Sequence, residues 1–267
     1  MLAKRVIVCL DVDQGAVTKG VRFQNNQAIG SPEEMAERYY REGADEIVFY
    51  DITASVEGRS TVLDVVARVA QKVFVPFTVG GGIRTTDDMK GALDAGAEKI
   101  SVNSGAIHRP ALVDSGARLL GSQAIVLGLD ALRVPVTPRI PSGYEVMVNG
   151  GRNNTGLDAI AWAREAESRG AGEICVNSID ADGTRNGYEL NLTARIAKAV
   201  RIPVIASGGA GSIEDLRDVL TVGHADAALV ASLVHLDLAP IPMIKESLAR
   251  MGIPIRPCIP GDMETSR

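Results

Sequence analysis

The sequence is poor in aromatic residues, which make up only 4% of its 267 residues. It also has no apolar run that approaches the roughly 18 residues needed to cross a membrane. Apolar residues nevertheless account for 46% of the chain, so the core must be built mainly from Val, Ile, Leu and Ala. Such a composition is typical of parallel β-sheets buried on both faces. We therefore predict a parallel α/β fold without a membrane-spanning segment.

The sequence also has a small net charge and few cysteines. The net charge is −5, from 28 basic and 33 acidic residues without a basic cluster, which argues against a nucleic-acid surface. Cys9 and Cys175 lie inside apolar runs, far apart from each other and from Cys258, which favours buried free thiols over a disulfide or a metal site. The chain begins directly with a strand-like run and shows no signal peptide, so we expect a cytoplasmic protein.

Motifs for covalent catalysis, nucleotide cofactors and metals are missing as well. The sequence contains no G-x-G-x-x-G or Walker loop, and no Ser/His/Asp or Cys/His arrangement stands out. None of the three histidines has a Cys, His or acid at metal-ligand spacing. We therefore predict a site that needs neither a metal nor a cofactor.

Short apolar runs alternate with helical patterns along the whole chain. The predicted strands are 5–12, 46–52, 77–79, 99–103, 124–130, 173–179, 204–207 and 227–231. The predicted helices are 32–42, 61–71, 86–95, 111–120, 157–169, 192–199, 213–221 and 242–251. Eight strand–helix units in a chain of this length match a (β/α)8 barrel, the TIM barrel, with a doubly wound open sheet as the alternative. No linker divides the chain, so we predict one domain over residues 1–267.

Two segments in different halves of the chain are nearly the same. PFTVGGGIRTTDDMKGALDAGAEKISVNSG spans residues 76–105, and PVIASGGAGSIEDLRDVLTVGHADAALVAS spans residues 203–232. Each has an apolar run after a proline, a glycine cluster, a helix opened by Ser or Thr with acids, and a second apolar run. The repeat predicts two similar half-barrels, about residues 1–121 and 122–253, followed by a tail over 254–267.

Glycines close the third and seventh predicted strands, and small polar residues close the fourth and eighth. The stretches are Gly80–Gly82, Gly208–Gly209, Asn103–Gly105 and Ala231–Ser232. Glycine lets backbone N–H groups approach an anion closely, and a following helix N-terminus favours negative charge. Because this device occurs twice, on opposite sides of a barrel mouth, we predict a substrate with a phosphate at each end. Tight turns without a ligand are the alternative.

Two aspartates end the first and the fifth predicted strands, at equivalent places in the two halves. Asp11 and Asp130 each follow an apolar run, so each carboxylate should face the mouth above a dry floor. Two carboxylates across a site can divide the roles of general acid and general base. Alternatively, they cap loops or pair with a lysine such as Lys19. The connections 13–30 and 131–156 are too long for simple turns, and we expect lids or binding loops at the same face.

Four charged residues begin predicted strands instead of ending them: Arg5, Glu46, Lys99 and Glu173. In a parallel barrel the strand starts lie at the bottom, away from the active site. The two positive and two negative side chains are therefore expected to form a ring of ion pairs across the bottom opening. One interpretation of this ring is barrel closure and stability, and the other is a gate.

Stretches along nearly the whole chain carry a resemblance to a known family. They include MLAKRVIVCLDVDQGAVTKGVRF, EIVFYDITASVEGRST, PFTVGGGIR, KISVNSGAI, NTGLDA, RGAGEI and IASGGAG. In these stretches the sequence resembles the cyclase subunit of imidazole glycerol phosphate synthase, from histidine biosynthesis. The resemblance implies a (β/α)8 barrel with half-barrel symmetry. Asn177 departs from it, because a threonine is common at this position.

The resemblance also implies roles for the residues named above. Asp11 and Asp130 would be the catalytic acid/base pair, and Lys19 in the first long connection would close over the substrate. One phosphate site would use Gly82, Asn103 and Ser104, and the other would use Asp182, Gly183, Gly209, Ala231 and Ser232. The ring would be the gate for ammonia from a glutaminase subunit that docks on the bottom and forms a heterodimer.

The implied reaction uses ammonia and phosphoribulosyl formimino aminoimidazole carboxamide ribotide, which carries phosphate at both ends. Its products are imidazole glycerol phosphate and aminoimidazole carboxamide ribotide. The related isomerase of the same pathway is one alternative, and a non-catalytic barrel that supports another amidotransferase is a second. The stretch DITAS, the TKG of the first long connection and the four charges at the bottom favour the cyclase.

Overall fold

Eight parallel strands close into a barrel in the computed structural model, which describes residues 2–13, 15–21, 24–57 and 61–258, without the side chains of 19–27, 55 and 56. The barrel strands are β1 (Arg5–Asp13), β4 (Glu46–Asp51), β5 (Phe77–Gly80), β6 (Lys99–Val102), β7 (Ile125–Arg133), β10 (Glu173–Ser178), β11 (Val204–Ser207) and β12 (Ala227–Val230). Parallel pairing of β12 with β1 and of β7 with β10 closes the circle. The predicted (β/α)8 barrel is confirmed, and the open sheet is excluded.

Two antiparallel hairpins extend the barrel strands beyond the mouth. Strands β2 (Ala16–Val21) and β3 (Gln24–Gly30) follow β1, and strands β8 (Tyr144–Val148) and β9 (Asn153–Asp158) follow β7. The sequence prediction left both connections without regular structure and began a helix at residue 157. That helix begins later, at Ala159, because Asp158 ends β9 and its carboxylate accepts the N–H groups of Ile160 and Ala161.

Eight longer helices of the described chain cover the outside of the barrel, and they match the predicted ones to within a few residues. They are α1 (Pro32–Arg41), α3 (Leu63–Ala70), α4 (Thr86–Asp94), α6 (Ala111–Leu120), α7 (Ala159–Ser168), α8 (Leu190–Ala199), α9 (Ile213–Thr221) and α11 (Ile241–Arg250). Three short helices were not predicted: α2 (Ala54–Glu57), α5 (Ser104–His108) and α10 (Ser232–His235). One turn of helix is too short to show an apolar period. None of the helices described is long and apolar enough to span a bilayer.

The two repeated segments start their helices with the same hydrogen bonds. In α4 the Thr85 hydroxyl accepts the Asp88 N–H at 3.1 Å, and the Asp88 carboxylate accepts the Thr85 N–H at 2.8 Å. In α9 Ser212 and Asp215 form the same pair at 3.2 and 2.9 Å. Each reciprocal pair satisfies backbone donors that a helix start leaves open. The half-barrel boundaries themselves remain a prediction.

The core lies in two layers because the side chains of each strand alternate between the helices and the barrel axis. The larger layer packs between strands and helices. The smaller layer fills the barrel itself and is made of Ile7, Cys9, Val48, Val126, Cys175, Ile205, Ala227 and Leu229. This inner layer separates the bottom of the barrel from its mouth.

Candidate active site

A cavity opens at the carboxyl ends of the barrel strands. Residues singled out from the sequence line it: Asp11, Gly82, Asn103, Ser104, Asp130, Asp182, Gly183, Gly209, Ala231 and Ser232. In barrels of this kind the loops at these strand ends build the active site. Lys19 lies on β2, but its side chain is outside the described part of the structure.

These residues divide the mouth into four sectors. Asp11 lies on β1 and Asp130 on β7, four strands away and thus on the opposite wall. The first glycine cluster and Ser104 follow β5 and β6, in one gap between the carboxylates. The second cluster and Ser232 follow β11 and β12, in the other gap. A molecule that reaches from one cluster to the other therefore has to pass between the two carboxylates.

Two amides hold the Asp130 carboxylate. Asn103 donates its Nδ2–H to Oδ2 at 2.8 Å, and Asn177 on β10 donates its Nδ2–H to Oδ1 at 3.1 Å. A carboxylate only accepts hydrogen bonds, so both amides must turn their NH2 groups towards it. Both amide oxygens are consequently buried without a hydrogen-bond partner among the described residues. They are free to accept N–H or O–H groups from a bound molecule.

The same environment brings the pKa of Asp130 close to neutral pH. Burial raises the pKa of its carboxyl to about 6; the amides of Asn177 and Asn103 oppose this rise, and the carboxylates of Asp182 and Asp11 add to it. A group with a pKa near the working pH can both accept and return a proton. Asp130 is therefore suited to acid–base chemistry. Sequence reasoning noted Asn177 only as a departure from the family and missed its contact with Asp130.

Replacing Asn177 with Leu should move the acid limb of the pH profile to higher pH. The variant removes a donor that lowers the pKa of Asp130, so the carboxyl will hold its proton to a higher pH. The measurement is ammonia-dependent kcat/KM against pH at a constant concentration of neutral ammonia. Asn154→Leu is the control, since Asn154 donates to Glu145 outside the cavity. An acid limb that stays in place in Asn177→Leu would contradict the assignment.

Two thiols lie below the carboxylates. Cys9 and Cys175 are buried and form no disulfide, as predicted, and both line the floor of the cavity. The Cys9 thiol donates to Asp11 Oδ1 over 3.4 Å. Burial raises the pKa of the Cys175 thiol to about 12, so this sulfur remains protonated and is a poor nucleophile.

The backbone conformation itself requires glycine in both clusters. Gly81 and Gly209 have φ of +92° and +110°. A Cβ at these positions would lie 2.1 Å from the Asp51 carbonyl oxygen and 2.0 Å from the Gly187 carbonyl oxygen. Tight turns are therefore present in both clusters, with or without a ligand. The short helices α5 and α10 begin directly beside them.

Two arginines that sequence reasoning missed also line the cavity. Arg152 lies in the β8–β9 turn, which contacts the first cluster where Ser104 accepts the Asn149 N–H at 3.0 Å. Arg185 lies in the loop that contacts the second cluster, where Gly187 donates to the Gly209 carbonyl at 2.9 Å. Each cluster thus has a cationic residue in an adjoining loop. An arginine in a loop is too common for the sequence alone to single it out.

The four charged side chains at the strand starts form a closed ring across the bottom, called the charged ring below. Arg5 contacts Glu46 at 3.0 Å and also pairs with Glu173. Lys99 contacts the same two glutamates at 2.9 and 3.0 Å. Burial alone would lower the pKa of Arg5, but Glu173 and Glu46 outweigh it and raise the pKa. Positive and negative groups alternate around the ring, so all four charges are paired.

The chain is similar to known proteins over nearly its whole length. A family model described as "Histidine biosynthesis protein" matches residues 5–239. The chain is 60% identical over 256 residues to the imidazole glycerol phosphate synthase subunit HisF of Oleidesulfovibrio alaskensis, covering 96% of this chain and 99% of the relative. The proteins of the same name from Syntrophobacter fumaroxidans and Nitratidesulfovibrio vulgaris are 60% and 59% identical with the same coverage.

Proposed function

The chain belongs to the histidine biosynthesis protein family and acts as the cyclase of imidazole glycerol phosphate synthase. From this premise, we propose a role in the reaction for each residue of the cavity named above. The cyclase consumes ammonia and phosphoribulosyl formimino aminoimidazole carboxamide ribotide. It forms imidazole glycerol phosphate and aminoimidazole carboxamide ribotide. One observation carries the assignment of roles: two glycine clusters and two carboxylates alternate around the mouth.

We propose that the substrate spans the mouth between the two clusters. One phosphate contacts Gly82, Asn103 and Ser104, and the other contacts backbone N–H groups around Gly183, Gly209, Ala231 and Ser232. Arg152 and Arg185 supply positive charge near these ends. Asp182 lines the same cavity, and its negative charge adds to the rise in the pKa of Asp130. A phosphate would be repelled there, and Asp182 is better suited to a hydroxyl or N–H group of the substrate.

The proposed chemistry needs proton transfers on both sides of the held substrate. Ammonia adds to the ribulosyl carbonyl, water leaves as the imine forms, a C–N bond of the formimino group breaks, and the imidazole ring closes. Asp130 takes the proton that the nitrogen loses as its new bond forms, while the Asn103 and Asn177 amide oxygens accept remaining N–H groups. Asp11, on the opposite wall, exchanges protons with the other side of the substrate.

The experiment that tests this function mixes the purified chain with the ribotide and an ammonium salt at alkaline pH. Alkaline pH raises the fraction of neutral ammonia, which is the nucleophile. The expected result is imidazole glycerol phosphate and aminoimidazole carboxamide ribotide in equal amounts. An isomerase would instead form an isomerised ribotide without ammonia, and a non-catalytic barrel would bind bisphosphorylated compounds without turnover.

The relatives carry the name of a subunit, and we propose that this chain likewise works with a partner, a glutaminase docked over the charged ring. Exposed apolar side chains lie on this bottom face, in segments that precede barrel strands. They are Leu2, Phe74, Leu119 and Val222. A contiguous apolar patch on one face marks a protein interface, and these side chains would contribute to such a patch around the charged ring. The heterodimer predicted from the sequence fits this surface.

Lys99→Ala separates the two interpretations of the charged ring. If the ring is a gate, the variant should lower glutamine-dependent turnover of the complex several-fold more than ammonia-dependent turnover, because external ammonia enters at the mouth. Glu46 and Glu173 lose a partner in either case, so the melting temperature should fall under both interpretations. The measurement is the ratio of the two activities on one folded preparation.

Lys90→Ala is the control for this experiment, since Lys90 is exposed in the middle of α4, away from the segments that precede barrel strands. It should leave the ratio unchanged. Equal losses of both activities in Lys99→Ala would leave Arg5, Glu46, Lys99 and Glu173 as structural residues only.

Two expectations from the sequence remain predictions. One is the cytoplasmic location. The other is a site without metal or cofactor; among the residues described, no group of three or more His, Cys, Asp or Glu side chains could hold a metal ion. The proposed steps use only side chains, backbone N–H groups and ammonia.

A further inference from the structure

Strand β6 and the residue that follows it carry a column of polar side chains through the barrel. Lys99, Ser101 and Asn103 are spaced by two residues, so all three face the barrel axis, about 7 Å apart from one to the next. Lys99 belongs to the charged ring, and Asn103 holds Asp130. Ser101 lies between them and is buried. The column connects the bottom of the barrel with the active site.

The walls around Ser101 are mostly apolar. Ile7, Val48, Val126, Ile205 and Leu229 fill the interior together with the two thiols. Ammonia that crossed this layer against apolar walls alone would give up every hydrogen bond that it makes in water. A polar group at this level would therefore favour passage along one side of the barrel.

Tyr50 provides such a group. It lies on β4, and its ring crosses the inner face of β5 towards β6, where its hydroxyl is 3.2 Å from Ser101 Oγ. Gly80 on β5 makes room for this ring, because a Cβ there would lie 2.6 Å from Tyr50 Cε1. Gly128 leaves similar space next to Ser101, with a virtual Cβ 3.2 Å from Oγ. Two glycines of the inner wall thus accommodate the hydroxyl pair.

We propose that the Tyr50 hydroxyl, oriented by Ser101, is a transient ammonia-binding station between the charged ring and Asp130. This inference rests on the proposed delivery of ammonia through the barrel. Tyr50 is a positioning residue in this role, since it forms no bond to the substrate. Neutral ammonia accepts a hydrogen bond from the phenol and donates its own N–H groups to Ser101 Oγ, so no covalent bond breaks during passage.

The chemistry of the phenol is compatible with this role. Burial raises the pKa of Tyr50 well above its usual value, so the hydroxyl keeps its proton and remains a donor. An ammonium ion would enter this layer without a counter-charge, at high cost. The station therefore selects the neutral form, which is also the nucleophile.

Tyr50→Phe tests the station in the complete complex with the glutaminase. The variant keeps the ring over Gly80 and removes only the hydroxyl. We expect the ratio of glutamine-dependent to ammonia-dependent turnover to fall roughly fivefold, the scale of one neutral hydrogen bond. Glutamate should also accumulate in excess of imidazole glycerol phosphate. Ser101→Ala should shift the ratio in the same direction, and it decides the question if Tyr50→Phe does not fold.

Tyr188→Phe is the matched control, because its buried hydroxyl donates to the Leu229 carbonyl at 2.9 Å from the outer core layer. It should leave the ratio unchanged. An unchanged ratio in Tyr50→Phe, or an equal loss of both activities, would contradict the proposal that the Tyr50 hydroxyl binds ammonia in transit. If Lys99→Ala lowers the ratio while Tyr50→Phe does not, the gate stands without the station. If only Tyr50→Phe lowers it, the station stands and the charged ring is structural.

Discussion

Replacing Asp130 with Asn should lower turnover by at least ~10²-fold, the scale of a lost general acid or base. The amide has nearly the same shape as the carboxylate but cannot accept a proton. One of the amides of Asn103 and Asn177 must turn its oxygen towards the new NH2 group. This turn needs no movement of the backbone, so the cavity keeps its form and substrate binding should change little. The measurement is ammonia-dependent kcat and KM for the ribotide, which needs no partner subunit.

Asp11→Asn should cause a loss of similar size, because this carboxylate faces the other side of the held substrate. Asp64→Asn is the control for both variants, since Asp64 is exposed on α3, pairs with Arg68 and does not line the cavity. Near-normal turnover of either variant with ammonia would show that the replaced aspartate takes no part in the chemistry. A double variant that loses little more than either single one would show that the two groups act as a unit.

The second large effect is expected for Gly209→Ala. The added Cβ would lie 2.0 Å from the Gly187 carbonyl oxygen, at a φ of +110° that side chains rarely adopt. The loop must shift, and the backbone N–H groups of the second cluster shift with it. Because a displacement of about 1 Å can cost 10²-fold in the rate at a positioned site, kcat/KM for the ribotide should fall by at least ~10²-fold.

Gly252→Ala provides the matched control. Its φ is +80°, but no atom lies within 4 Å of the added Cβ, so it tests backbone strain without the collision. Its position after α11 also keeps it away from the mouth. Melting temperatures of both variants separate a displaced loop from an unfolded barrel. If folded Gly209→Ala kept a normal kcat/KM, the second cluster would not contact the substrate.

Local patterns were sufficient to predict the barrel. Alternating apolar runs and helix start signals predicted eight strand–helix units, and the structure has the eight longer helices within a few residues of the predicted bounds. These features depend on neighbours in the sequence, such as Ser212 and Asp215 at the start of α9. The placement of Asp11 and Asp130 on opposite walls also followed from counting strands.

Contacts between distant strands could not be predicted in the same way. The hairpins after β1 and β7, the amide of Asn177 on Asp130, and the arginines beside the clusters depend on how separate segments meet. Tyr50 illustrates the reason: its role depends on Gly80 and Ser101, which reach it only through the register of β4, β5 and β6. The sequence by itself determined the fold and the family. Only the tertiary structure decided which polar groups share the barrel interior, because pairing of strands from distant parts of the chain brings them within hydrogen-bond distance.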